Sequence, residues 1–91
     1  MKFEWNSEKA ARNLEKHGVS FPEAATVFSD PLSATFPDPD HSIVESRYVT
    51  IGISRLRQIL VVAHTDRDDR LRIISARKAT RQERRFYEQG N

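Results

Sequence analysis

The sequence predicts an α+β fold in a single domain over residues 1–91, one curled antiparallel sheet with two N-terminal helices and one C-terminal helix. Three observations lead there. Apolar residues recur at helical spacing up to Phe28, alternate at period two from Leu32 onward, and give way to a helical pattern again after Thr80. The joins near Ser54–Arg57 and Asp66–Arg70 are too short for a parallel crossover, so the strands they link pair as antiparallel hairpins. A chain of 91 residues, 37% hydrophobic and 31% charged, builds one small core under a well-solvated surface.

Taken in order, "KFEW" is a short extended segment suited to a sheet edge. Asn6 is an N-cap, and the first helix runs to about His17, with Gly18 as its left-handed exit. Ala10, Leu14 and His17 form its apolar face at i, i+4 and i+7, beside a polar stripe of Lys9, Asn13 and Lys16. "SFPE" reads as a capping box that starts a second, short helix, with Phe21, Ala24, Ala25 and Phe28 inward and Asp30-Pro31 as its stop. "LSATF" is a half-buried strand, and "PDPDHS" a loop with two prolines. "RYVTIGI" turns Val49, Ile51 and Ile53 to one side. "QILVVAHT" is apolar on both faces and therefore central. "LRIISAR" alternates Leu71, Ile73 and Ser75 against Arg72, Ile74 and Ala76. Thr80 and Glu83 form a second capping box, which opens the last helix.

There is no Cys, hence neither a disulfide nor a thiolate metal site. No signal-peptide pattern or membrane-length apolar run occurs, which makes the cytoplasm the expected location. The net charge of +2 hides a segregation. Residues 1–45 hold four Lys/Arg against eight Asp/Glu, whereas residues 46–91 hold eleven against five. From Arg70 to Arg85 seven basic residues face one acid, Glu83. A positive field of this kind attracts polyanions and speeds their encounter.

The residues able to do chemistry are few. Imidazole is the side chain that exchanges protons nearest neutrality, and there are three: His17 at a helix C-terminus, His64 at the end of the central strand, and His41 in the DPDH loop. That loop lacks the fixed set of several ligands that a tight metal site needs, so no metal and no cofactor are expected. P-loop, dinucleotide, G-x-S-x-G and H-E-x-x-H motifs are missing. Arginine carries most of the remaining signal. Arg67 lies in the turn after His64, Arg72 within a strand and Arg77 at its end. Arg81, Arg84 and Arg85 share one side of the last helix with Tyr87 as a stacking surface. Guanidinium groups bind phosphate oxygens bidentately, and aromatic–Arg mixtures suit single-stranded RNA. RNA carries its own nucleophile, the 2′-OH, so a protein cleaving it needs only to move protons and stabilise a crowded phosphate.

The motifs "FEW", "KHGVSFPEAATVFSDP", "RYVTIG", "LVVAHTDR" and "RIISARKAT", followed by "ER" and "YE", occur in this order from Phe3 to about Glu88. In this the chain resembles the BrnT family of type II toxins. The resemblance implies a RelE-like fold and an endoribonuclease that arrests translation. It also implies neutralisation by a BrnA-like ribbon-helix-helix antitoxin, in a heterotetramer with two toxins that meets operator DNA through the antitoxin. The family's K-H-G falls on Lys16, His17 and Gly18, its T-x-R on Thr65 and Arg67, and its S-A-R on Ser75, Ala76 and Arg77. Where the family usually opens Trp-Asp-Pro, this chain has Trp5-Asn6-Ser7, and Asn caps nearly as well as Asp. Lys16, His17, His64, Arg67 and Arg77 are thus the expected catalytic residues, with Arg67 and Arg77 on the scissile phosphate. Arg72, Arg81, Arg84, Arg85 and Tyr87 are the expected RNA-binding residues. The alternative is a non-catalytic nucleic-acid or antitoxin-binding module acting as a co-repressor.

Overall fold

Caps written into the sequence set the helix ends in the computed structural model, which describes residues 1–38 and 46–90. Helix α1 (Ser7–His17) begins where Asn6 Oδ1 accepts the Lys9 N–H at 3.0 Å. It stops at Gly18, whose φ of 70° lets its N–H reach the Leu14 carbonyl. Helix α2 (Phe21–Thr26) opens on Ser20 Oγ, which accepts the Glu23 N–H. Its capping box is only half made. The Glu23 carboxylate turns away from the cap and accepts from Ser54 Oγ at 2.7 Å and Gln58 Nε2 at 2.8 Å, fastening α2 to the turn at residues 54–58. A 3-10 turn, Val27–Ser29, leads on to Asp30. Helix α3 (Arg81–Glu88) has the complete Thr80/Glu83 box.

Five strands follow the expected order along the chain: β1 (Lys2–Glu4), β2 (Ala34–Pro37), β3 (Arg47–Ile53), β4 (Ile59–Arg67) and β5 (Arg70–Lys78). In space they lie β1-β5-β4-β3-β2, which makes β4 the central strand. Strands β2 to β5 are antiparallel, and the tight hairpins place Arg57 and Asp68 at positive φ. Strand β1 joins β5 in parallel, so the sheet is mixed rather than wholly antiparallel. Among the described residues no helix is long and apolar enough to cross a membrane.

The core lies between the sheet and α1 and α2. Phe21, Val19, Ala24 and Val27 meet Leu60 and Val62 of β4 and Leu71, Ile73 and Ala76 of β5. Trp5 sets its edge on Phe21, with centroids 6.0 Å apart. Two sequence expectations change here. Leu14 is 51% exposed, while Asn13, placed in the polar stripe, is buried. Asn13 serves as a substitute strand. Its Nδ2 donates to the Ala76 carbonyl at 2.8 Å and the Val19 carbonyl at 3.0 Å, and its Oδ1 accepts the Ala76 N–H at 3.1 Å. β1 covers the edge of β5 only at Arg70–Arg72. Asn13 thus pairs with backbone groups that lie beyond the end of β1, as buried polar groups require.

The second change concerns the faces of β5. His64 pairs with Ile73 and Ala63 with Ser75, so Ile74 is the extra residue of a β-bulge. Alternation resets across it. Leu71, Ile73 and Ala76 face the core, and Arg72, Ser75 and Arg77 share the opposite face, where the unbroken pattern had divided Arg72 from Ser75 and Arg77.

Candidate functional site

That outer face carries both arginine motifs. Thr65 pairs with Arg72 on one side and Arg47 on the other, Arg67 pairs with Arg70, and Val61 pairs with Arg77. All these β4 residues are odd-numbered on an unbroken strand and point the same way. The outer face of β5 is therefore a spine of Arg70, Arg72, Ser75 and Arg77, flanked by Thr65 and Arg67. Glu4 of β1 steadies its first two members, accepting from Arg70 at 3.2 Å and Arg72 at 3.4 Å. Those contacts, Arg70 first, hold the Glu4 carboxyl below its ordinary value although burial opposes them. Thr65 lies beneath, 1% exposed, and its hydroxyl has no hydrogen-bond partner among the described residues. Such a group costs roughly 1–3 kcal/mol.

Arg67 and Arg77 do not meet. The register separates them by six residues along β4, roughly 20 Å at the rise of a strand. Their expected joint grip on one phosphate is therefore replaced by positions at the two ends of the spine. Arg77 is also engaged. Its guanidinium makes a bidentate pair with Glu83 at 2.7 and 2.9 Å. That pair raises the Arg77 pKa against the effect of burial. On the other side the Arg77 contact, helped by Thr80, takes the Glu83 carboxyl down to about 2.

Lys16 and His17 occupy a groove beside the middle of the spine. It measures about 280 Å³ and is lined by Lys9, Arg12, Lys16 and His17 of α1 together with Ile74 and Ser75 of β5. The bulge supplies one wall of this groove and Gly18, ending the helix, exposes the lysine and half-exposes the imidazole. An imidazole and an ammonium so placed can exchange a proton or hold an anion.

His64 occupies a different environment. It is 2% exposed. Its Nδ1 meets Asp66 Oδ1 at 3.0 Å, and its Nε2 meets Thr50 Oγ1 at 2.7 Å, which in turn meets Thr35 Oγ1 at 2.7 Å. Phe28 presents its edge and Tyr48 stacks on the ring. Burial pulls its pKa below 6.5, and the bond to Asp66 only partly offsets this. With both nitrogens engaged and the ring almost wholly buried, His64 braces the sheet in this arrangement.

On α3, Arg81, Arg84 and Arg85 are exposed. Arg84 also borders a cleft of about 410 Å³ with Arg57, Lys78 and Glu88. Tyr87 is a tether. Its hydroxyl donates to Asp30 Oδ2, and burial followed by that contact pushes its pKa up to about 12. Burial works against ionisation of Asp30, but bonds from the Ile53 N–H, Tyr87 and the Leu32 N–H outweigh it and lower its pKa. Beyond Asp38 the DPDH loop, including His41, lies outside the described residues. Sequence reasoning overlooked Thr65 and Ser75 as site residues. Their only signal was the place of each two residues before an arginine, in T-x-R and S-A-R.

The sequence matches, over residues 5–83, the family described as ribonuclease toxin, BrnT, of type II toxin-antitoxin system. The chain belongs to the BrnT family. The crystal structure of the Brucella abortus ribonuclease toxin BrnT is similar to it, with a TM-score of 0.69 and 26% sequence identity over 89% of this chain and 99% of that one. The expected α+β architecture is thus that of a BrnT toxin. No curated protein sequence matches the chain.

Proposed function

We propose that this BrnT-family chain is an endoribonuclease that uses the 2′-OH of RNA as nucleophile and needs no metal. The observation that carries the reading is the bulge at Ile74, by which Arg72, Ser75 and Arg77 share a face with Thr65 and Arg67 beside the Lys16–His17 groove. RNA would run along this spine. Arg67 and, once parted from Glu83, Arg77 would hold flanking phosphates, and Arg72 and Ser75 the scissile one. His17 would accept the 2′-OH proton as the 2′-oxygen bonds to phosphorus. The P–O5′ bond would then break, and Lys16 would protonate the departing oxygen. The products are a 2′,3′-cyclic phosphate and a 5′-hydroxyl end. Charge neutralisation by Arg72 is worth roughly 10²- to 10³-fold, and proton transfer by His17 roughly 10²- to 10⁴-fold. Arg81, Arg84 and Arg85 would guide the strand electrostatically, with Tyr87 holding their helix in place.

Family membership supports an antitoxin partner. The finer reading is a BrnA-like ribbon-helix-helix protein, in a heterotetramer with two toxins that binds operator DNA through the antitoxin, and action in the cytoplasm where translation occurs. The test is cleavage of a defined RNA in EDTA by the purified chain, Arg72→Ala and His17→Ala. Cleavage by the wild type that leaves cyclic phosphate ends, reduced at least about 100-fold in each folded variant, is the expected result. Equal cleavage by all three would reject the assignment, and RNA binding without cleavage, in buffer and in translating extract, would favour the binding-module alternative.

A further inference from the structure

The outer face of the sheet has a second character next to the basic spine. Phe36 of β2 and Phe86 of α3 are 44% and 49% exposed, with ring centroids 5.7 Å apart. Behind them a groove of about 270 Å³ runs between α3 and the sheet, floored by Val49, Ile51 and Val61. The apolar strip continues past Phe86 to Ala34 and Leu32, which line an adjoining hollow. α3 contributes no fully buried residue to close it. On a protein whose residues are 31% charged, a contiguous half-open aromatic and aliphatic strip marks an interaction surface.

We propose that this groove is where the antitoxin docks, through a segment apolar toward the sheet and acidic toward α3. The inference rests on the reading of the chain as a toxin with a protein antitoxin. Four features select that occupant. The floor of Val49, Ile51 and Val61 is aliphatic, which leaves only Gln82, on the wall, as an uncharged polar side chain among the described lining residues. Among the described lining residues there is no cation, and Glu83 on the wall is already engaged by Arg77, so nothing in the groove attracts phosphate. Both facts disfavour RNA and suit an apolar peptide. The flank of α3 is the reverse, since Arg81, Arg84 and Arg85 stand exposed beside Phe86, so acidic residues bordering the apolar segment would be complementary. β2 is one of the two edge strands of the described sheet, so a segment can enter over Phe36 without crossing another described strand. Docked there, the antitoxin would lie over α3 and next to Arg77, close enough to obstruct the RNA track.

The experiment uses the full chain and the antitoxin encoded with it. Affinity is measured by calorimetry for the wild type and for the Phe36→Asp/Phe86→Asp double variant, and the methyl resonances of Val49, Ile51 and Val61 are followed in the wild type during titration. The expected result is an affinity at least about 100-fold weaker in the variant, as for loss of interface hot spots, with RNA cleavage unchanged and with the three methyls shifted by antitoxin. Unchanged affinity in a folded variant would overturn the proposal. If the variant does not fold, the methyls decide. A wild-type complex that leaves them unmoved, or methyls moved by RNA and not by antitoxin, overturns the docking site while leaving the toxin reading intact. Absence of any wild-type complex would remove the antitoxin reading itself.

Discussion

Replacing Asn13 by Ala should be among the most damaging changes available to this chain, although the residue sits in a stripe that sequence patterning calls polar surface. The amide makes three hydrogen bonds, two to Ala76 and one to Val19. Truncation leaves the N–H and carbonyl of Ala76 and the carbonyl of Val19 without it. At about 0.5–1.5 kcal/mol for each bond, with more where a buried partner stays unsatisfied, the loss comes to roughly 3 kcal/mol. For a domain of this size that corresponds to a fall in Tm on the order of 10–20 °C. Urea unfolding supplies the number, through a lower midpoint at constant m-value. Hydrogen exchange at the Ala76 amide supplies the location. Asn13→Asp keeps one acceptor but aims a carboxylate at two carbonyls, so it should be no better than Ala. Leu14→Ala is the counterpart. Its half-exposed side chain should cost less than about 0.5–1 kcal/mol. A loss below about 1 kcal/mol for Asn13→Ala, with Ala76 protection unchanged, would refute the view of Asn13 as a strand substitute.

Three further outcomes follow from the same geometry. At Gly52 an added Cβ would lie 2.9 Å from both Ser33 Cβ and Val27 Cγ1, so Gly52→Ala should destabilise by about 1–3 kcal/mol in thermal or urea melts. Tyr87→Phe removes the hydroxyl held by Asp30, and amide exchange should quicken across α3 while β4 stays protected. Stability should depend on pH, and two of the groups with lowered pKa, acting with the same sign, show how. Glu83 ionises near 2 instead of 4.5; its contribution is complete above pH 4.5 and disappears as pH falls through 2, and Glu83→Gln should flatten that limb. His64 has its folded pKa below 6.5, so the unfolded chain binds more protons just below that pH. Stability should therefore decline as pH falls from 6.5 toward the folded value, and His64→Gln should remove the slope.

The helices and hairpins were legible because local chemistry determines them. Asn6, Ser20 and Thr80 are caps that act within four residues, and the hairpin joins were too short for any other topology. What could not be read depended on partners distant in sequence. Glu23 had the spacing of a capping box, but Ser54 and Gln58 compete for it across 31 and 35 residues. Asn13 and Leu14 exchanged roles because β1 stops short of the β5 edge that Asn13 then meets. Arg77 carried the right chemistry for phosphate, yet Glu83, the single acid of the basic stretch, lies within its reach. His64 lay on the core face as its alternation with Leu60 and Val62 indicated. The bond to Thr50 that closes its second nitrogen depends on the pairing of β3 with β4 and had no local sign.

Ile74 shows how a residue without polar chemistry can organise a site. Arg72 and Arg77 are five apart, an odd spacing that puts them on opposite faces of a regular strand. One extra residue between them restores a common face, and the pairs on either side, His64 with Ile73 and Ala63 with Ser75, are regular. Deleting Ile74 should therefore keep both faces correctly populated, with Ala76 in the core and Arg72, Ser75 and Arg77 outside. What it removes is the local twist of the bulge and one wall of the groove holding Lys16 and His17. The deletion variant is expected to fold with native-like near-UV dichroism and to lose RNA cleavage by about tenfold or more, on the order of a catalytic group displaced by an ångström. An unfolded deletion variant would mean that the bulge is demanded by the core, not merely compatible with it. A folded variant with full cleavage would separate the Lys16–His17 groove from catalysis and leave the arginines to act alone.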